Sequence, residues 1–330
     1  MSADAIWITE GEVVQLMDLR QAIVSLEAAL RDEARGEAQN MTKTLLQYGK
    51  NNLHAIGGKL GNLVGTKTWT HTQGGTCPLL LLWSAEDGSL SAVIEAFALG
   101  NLRTGGISGV AANWMAREDA AVMAIVGTGK QALAQVGTML AVRPIERLRI
   151  YSPREDSRQT FAAKAREEFG LETDVCPSVN DACKGAQIVT LVTRATQSFL
   201  TATMLEKGAH LNAVGAIALD REEFAQDVFA RATVIAVDNL LSVQQLSREF
   251  MTQYSSSGWE KAMPLSKLIA SGRRRSAADD VSLFKAMGMG ISDLALGVEL
   301  VRRARERGMG RVIPQPKKQK PRLGRAKSAV

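Results

Sequence analysis

The chain of 330 residues has only three cysteines, three histidines and 5% aromatic residues. Cys77, Cys176 and Cys183 form no CxxC pair and are odd in number, which speaks against a disulfide scaffold and for a reduced, cytoplasmic setting. His54, His71 and His210 are scattered without metal-ligand spacing, so no metal site is expected. Long apolar runs are also missing. The stretches 77–83 and 120–127 fall well short of the ~18 residues that span a bilayer, so no membrane helix is expected. The start, Met-Ser-Ala-Asp-Ala-Ile-Trp, lacks the basic and apolar regions of a signal peptide.

Acidic residues are absent from the last segment. The formal charge of +6 is carried by seven basic residues in 311–330 (Arg311, Lys317, Lys318, Lys320, Arg322, Arg325 and Lys327), which leaves residues 1–310 nearly neutral. With three prolines in 314–321 and no apolar periodicity, this segment reads as a disordered tail. A body without a basic face makes nucleic acid an unlikely partner.

What is present is an ordinary globular composition, 45% apolar and 22% charged, in a chain long enough for two domains. Apolar spacing predicts a helix over residues 18–36. Short β-like runs follow at 43–47, 53–56, 64–70, 79–84 and 92–95, with Glu86-Asp87-Gly88 as a hairpin signal. A helix is expected over 98–117. From residue 120 strands and helices alternate: strands at 120–126, 148–151, 188–193, 209–214 and 234–237, and helices to about 142 and over 155–169. The fold expected is α/β: a Rossmann doubly wound parallel sheet plus an N-terminal α+β domain. The boundaries expected are 1–112, with a helix at 291–308 packing back on it; 113–290 for the dinucleotide-binding domain; and 311–330 for the tail.

The strand ending at Val126 leads into Gly127-Thr128-Gly129-Lys130-Gln131-Ala132 and then a helix, which is the context a dinucleotide-binding glycine motif requires. Gly127 permits a tight turn, Gly129 lets backbone approach a pyrophosphate, and the helix N-terminus offers free N–H groups. The second strand ends in Tyr151-Ser152-Pro153-Arg154, with no carboxylate for ribose hydroxyls at the strand end. Arg154 suits a 2′-phosphate, so NADP(H) is favoured over NAD(H). In the alternative, Asp156 takes the ribose. On the other side, Lys67 lies in a β-like run, and Arg103 lies early in a helix, where an anion such as a carboxylate fits both the arginine and the helix end.

Gly65-Thr66-Lys67, the hairpin at 86–95, Leu102-Arg103-Thr104, the motif at 126–132, the stretch 211–216 and the stretch 281–295 stand in an order that resembles the ornithine cyclodeaminase/mu-crystallin family over roughly residues 5–305. The resemblance implies a homodimer whose N-terminal domain binds substrate and makes the dimer. It implies Lys67 as the catalytic lysine and Arg103 as the clamp on a substrate carboxylate. It implies Thr104, Gly127, Thr128, Gly129, Lys130, Gln131, Ser152, Arg154, Thr193, Val214, Gly215, Met287 and Gly288 at the cofactor.

There are departures from the family pattern. Where cyclodeaminases carry an aspartate two residues after the glycine matching Gly215, this chain has Ile217. Asp220 is the candidate substitute, or else the N-cap of a helix over 221–223. Lys43 is the nearest match to a second carboxylate-binding arginine, and Ile56-Gly57 stand where a Met-Pro pair usually follows a strand. His71, four residues after Lys67, is placed within reach of the pocket. The activity implied is NAD(P)H-dependent reduction of a 2-imino acid or ketimine. The alternatives are a redox-neutral cyclodeaminase and a non-catalytic NADPH-binding protein of the mu-crystallin kind.

Overall fold

The computed structural model describes residues 4–321. The chain begins with β1 (Ala5–Ile8), α1 (Glu10–Leu16) and α2 (Leu19–Ala34), followed by β2 (Ala38–Asn40), β3 (Thr44–Tyr48), β4 (Asn51–Leu60), β5 (Leu63–Thr72), β6 (Gly75–Thr76), β7 (Leu79–Ser84) and β8 (Leu90–Glu95). Then come α3 (Phe97–Met115), β9 (Val122–Val126), α4 (Ala132–Val142), β10 (Arg147–Tyr151), α5 (Glu155–Phe169), β11 (Glu172–Val175), α6 (Val179–Cys183), β12 (Ile188–Leu191) and β13 (His210–Ala213). The last part holds α7 (Val228–Arg231), β14 (Ala232–Val237), α8 (Leu240–Leu246), α9 (Arg248–Gln253), β15 (Met263–Pro264), α10 (Leu265–Ala270), β16 (Val281–Lys285), α11 (Gly290–Arg307) and β17 (Arg311–Ile313).

Two sheets result. The first is mostly antiparallel, in the order β17-β1-β8-β7-β5-β4-β2, with β3 on β4 and β6 on β5. The second is parallel, β11-β10-β9-β12-β13-β16-β14-β15. Its order reverses between β9 and β12, the switch point where open α/β sheets receive ligands. Strands β9, β12 and β13 are buried along nearly their whole length because helices cover both faces of this sheet; β9 and β12 are mainly apolar, while β13 also buries His210 and Asn212.

Helix starts follow capping chemistry. Thr9 with Glu12, and Asp18 with Gln21, form reciprocal capping boxes at α1 and α2. Helix α3 has no polar face and is buried from Gly105 to Ala112. It packs between α2 and α4. A Cβ at Gly106 would run into Leu26, and one at Gly109 into Thr138 and Ile23. Helix α11 returns to the first sheet, packing on α2, α3, β4 and β5.

Several sequence expectations need correction. The run at 53–56 does not end before Gly57; β4 continues to Leu60. Gly57 and Gly58, just beyond the expected run, serve close approach. A Cβ at Gly57 would strike the Gly65 carbonyl and Thr66, and a Cβ at Gly290 would strike Gly57 itself. The segment from 311 is not structureless at its start. β17 pairs antiparallel with β1, and the Gln315 side chain bonds to the Leu90 backbone through both its amide ends, 3.0 and 2.6 Å. Arg322, Arg325 and Lys327 lie outside the described residues. No helix follows Asp220 at 221–223. Strands β11 and β16 complete the parallel sheet without having stood out in the strand–helix alternation.

Candidate active site

At the end of β9 the chain turns at Gly127 (φ 108°), whose N–H donates to the Tyr151 carbonyl at 2.8 Å. That backbone is in the left-handed region, and a Cβ would lie 2.6 Å from the Val192 carbonyl, so only glycine fits. Gly129 is the opposite case. A Cβ there would meet nothing within 4 Å, so this backbone faces open space. Helix α4 starts at Ala132 with no side chain capping its first N–H groups. The Gln131 amide donates to Asn101 at 3.0 Å and the Gln135 amide to the Thr104 carbonyl at 3.2 Å, which ties α3 to this helix end.

A cavity of about 900 Å³ opens from this turn and runs between the two sheets. Thr128, Gly129, Lys130 and Gln131 form one wall, and Ser152, Pro153 and Arg154 follow at the end of β10. Thr193, Val214, Gly215, Met287 and Gly288 line it farther along, with Lys43 from the loop between β2 and β3 and Arg103 and Thr104 from α3. The volume, the uncapped helix end and the bare backbone at Gly129 fit a dinucleotide with its pyrophosphate at α4.

Lys67, on β5, is 4% exposed and is not itself among the residues that line the cavity, although Trp69 and Arg103 beside it are. Its ammonium donates to the fully buried Asp293 on the first turn of α11 and lies 5.2 Å from the centre of the Trp69 ring. The Arg103 Nε lies 3.5 Å from the same Asp293 oxygen. One carboxylate thus faces two cations, and its place in the first turn of a helix favours the negative charge. Burial pushes the Lys67 ammonium down to about 8; Asp293 opposes the shift and Arg103 adds to it.

Burial, with Arg103 nearby, also lowers Lys43 below the usual lysine range. Asp238, buried after β14, accepts from the N–H groups of Met287 (2.8 Å) and Gly288 (2.7 Å), and burial pushes its carboxyl up. The Asp238 carboxylate shapes the loop after β16 and faces the cavity. Trp69, stacked on His54 at 4.7 Å, joins Ile56 and Ile217 as the apolar lining of this end.

Two predicted positions lie elsewhere. Asp220 has a 73% exposed side chain, stands outside the cavity and meets only Arg221, at 3.8 Å. The loop after Gly215 carries it outward, while Ile217 occupies the wall. His71 is exposed on β5 and does not line the cavity. His210 is buried between Ser282 and Asn212, and burial pushes it down to about 3. No cluster with metal-binding potential occurs among the described residues. Sequence reasoning missed Asp293, Asp238 and Trp69. Asp293 had a signal, an acid in the quoted stretch 281–295, but its distance of 226 residues from Lys67 hid the pairing.

The match to the family model for ornithine cyclodeaminase/mu-crystallin spans residues 5–307. The chain belongs to that family. Within it, the chain is 29% identical over 239 residues to a Delta(1)-pyrroline-2-carboxylate reductase of Bacillus cereus (strain ZK / E33L), covering 71% of this chain and 73% of the relative. The structure of the Thermococcus litoralis Delta(1)-pyrroline-2-carboxylate reductase, in complex with NADH and L-proline, superposes with a TM-score of 0.86 at 22% identity, covering 93% and 100%. An archaeal alanine dehydrogenase dimer with bound NAD gives 0.86 at 25% identity, covering 96% and 99%. No helix among the described residues is long and apolar enough to cross a membrane.

Proposed function

We propose that this family member is an NAD(P)H-dependent reductase of a 2-imino acid or ketimine, with amino-acid dehydrogenation as the reverse. The observation that carries the reading is the convergence of Arg103 and Lys43 on the cavity wall, with the buried Lys67 paired to the same Asp293 carboxylate as Arg103. When bound, the cofactor supplies hydride chemistry. Arg103 and Lys43 hold the substrate carboxylate and set which face of the imine is presented. Lys67, an ammonium that burial brings down to about 8, gives its proton to the substrate nitrogen. Trp69, Ile56 and Ile217 exclude water and favour a compact apolar side chain, cyclic or acyclic. Ile217 offers no carboxylate to a side-chain amine, which disfavours ring closure with loss of ammonia.

Ser152 and Arg154 on the wall, with no carboxylate at the end of β10, support NADP(H) over NAD(H). A homodimer in a cytoplasmic setting completes the reading. The test is reduced-cofactor consumption with a panel of cyclic ketimines and of 2-oxo acids supplied with ammonia. Steady consumption with at least one is expected. Ammonia release from ornithine without net cofactor change, or tight NADPH binding with no turnover on the whole panel, overturns the reading.

A further inference from the structure

Below the cavity floor lies a charge cluster that plays no part in the mechanism above. Glu223 is fully buried, and both its oxygens accept only. One takes the Thr193 N–H (2.7 Å) and the Thr193 hydroxyl (2.8 Å), at the end of β12. The other takes the N–H groups of Gly215 (2.9 Å) and Ala216 (3.0 Å), at the end of β13. The Ala216 carbonyl is held from its other side by Lys285, also fully buried, at 2.6 Å. Glu249 lies 3.5 Å from Lys285 and accepts the N–H of Glu223 at 3.2 Å. Thr193 and Gly215 both line the cavity. Gly215 has no room for a side chain, because a Cβ would overlap Thr193 and the Glu223 carboxylate.

We propose that Glu223 is a positioning residue of the cofactor site, fixing the two strand-end turns that form its floor. The inference rests on the reading that the cavity holds a pyridine nucleotide. Four donors converge on one carboxylate, two from each turn, so the side chain sets the distance between the turns. A neutral amide cannot replace it: glutamine must turn its NH₂ toward one pair of donors, and that turn is released. Burial pushes the carboxyl up, and Lys285 together with the Thr193 and Ala216 donors opposes it.

The test compares wild type, Glu223→Gln and Glu223→Asp by fluorescence titration with NADPH and NADH and by steady-state kinetics. Glu223→Gln is expected to raise the cofactor Kd and KM by about tenfold, the size of one lost charge-assisted hydrogen bond. The KM for the imino substrate at saturating cofactor should stay within about twofold. Glu223→Asp keeps the acceptors but is a methylene short of spanning both turns, so it should fall between; if the glutamine variant does not fold, the aspartate variant carries the same readout. A lowered Tm with cofactor Kd and KM unchanged overturns the proposal, because the residue is then merely structural. Failure of wild type to bind either nucleotide overturns the reading of the cavity and the proposal with it, a result distinct from a wild type that binds and variants that bind equally well.

Discussion

At the scale of single residues, the decisive arrangement is one buried carboxylate shared by two cations. Lys67 sits with its ammonium near the point of proton loss, so pH sets which direction it serves. Imine reduction needs the ammonium form, and its rate should fall as pH rises through about 8; amino-acid oxidation needs the free amine and should rise through the same value. Initial rates in both directions across that range check this, and two limbs of the same sign would refute it. Asp293→Asn removes the group that holds Lys67 charged. The reductive limb should move to lower pH, and stability should drop by about 3 kcal/mol in denaturant unfolding, the penalty for leaving buried cations unpaired. Lys67 and Arg103 were legible from motif and resemblance. Asp293 was not, because an acid in a helix's first turn looks like an ordinary terminus residue until the fold sets a lysine beside it. Asp220 misled for the opposite reason: its place in the sequence was suggestive, and its loop points it at solvent.

At the scale of elements, small residues carry information that propensity reads wrongly. Gly57 and Gly58 lie just beyond the expected run, yet β4 passes straight through them because α11 presses on the strand with Gly290 against Gly57. Gly290→Ala should cost about 2 kcal/mol by overpacking. It should also lower kcat, because α11 carries Asp293 less than one turn farther on. Unchanged activity per folded molecule would separate the packing from the chemistry. The Gly127–Ala132 turn was legible in full, since strand, glycines and helix are contiguous in the chain. The loop after β10 belongs to this scale too. Arg154→Ala is expected to raise the NADPH KM by about tenfold and leave the NADH KM unaltered, and an equal effect on both cofactors would remove the arginine from 2′-phosphate recognition.

At the scale of the molecule, the two kinds of sheet were readable from the change of periodicity near residue 120, whereas their strand orders and β17 were not. Its three residues open a proline-rich basic segment whose composition hides a strand that pairs with the first strand of the chain. The β3–β4 hairpin leaves Leu45, Leu46, Tyr48 and Leu53 exposed, more apolar surface than an isolated hairpin gains from showing. We propose this face as the one a homodimer covers. Leu45→Glu with Leu46→Glu should then shift the species seen by sedimentation toward the 35.5 kDa monomer. A wild type already monomeric at micromolar concentration would refute the dimer.

The contact between Lys67 and Asp293 also sets a schedule. The two are separated by 226 residues, so at a synthesis rate of 5–20 residues per second roughly 10–50 s pass between the appearance of the lysine and that of its counter-charge. Until then the first sheet lacks α11 over β4 and β5, lacks β17 at its edge, and has no anion to receive an ammonium in its interior. The nascent N-terminal segment must therefore wait, partly open, for the end of its own chain. A chain truncated before α11 is expected to close less stably around its lysine, since it lacks the Asp293 counter-charge.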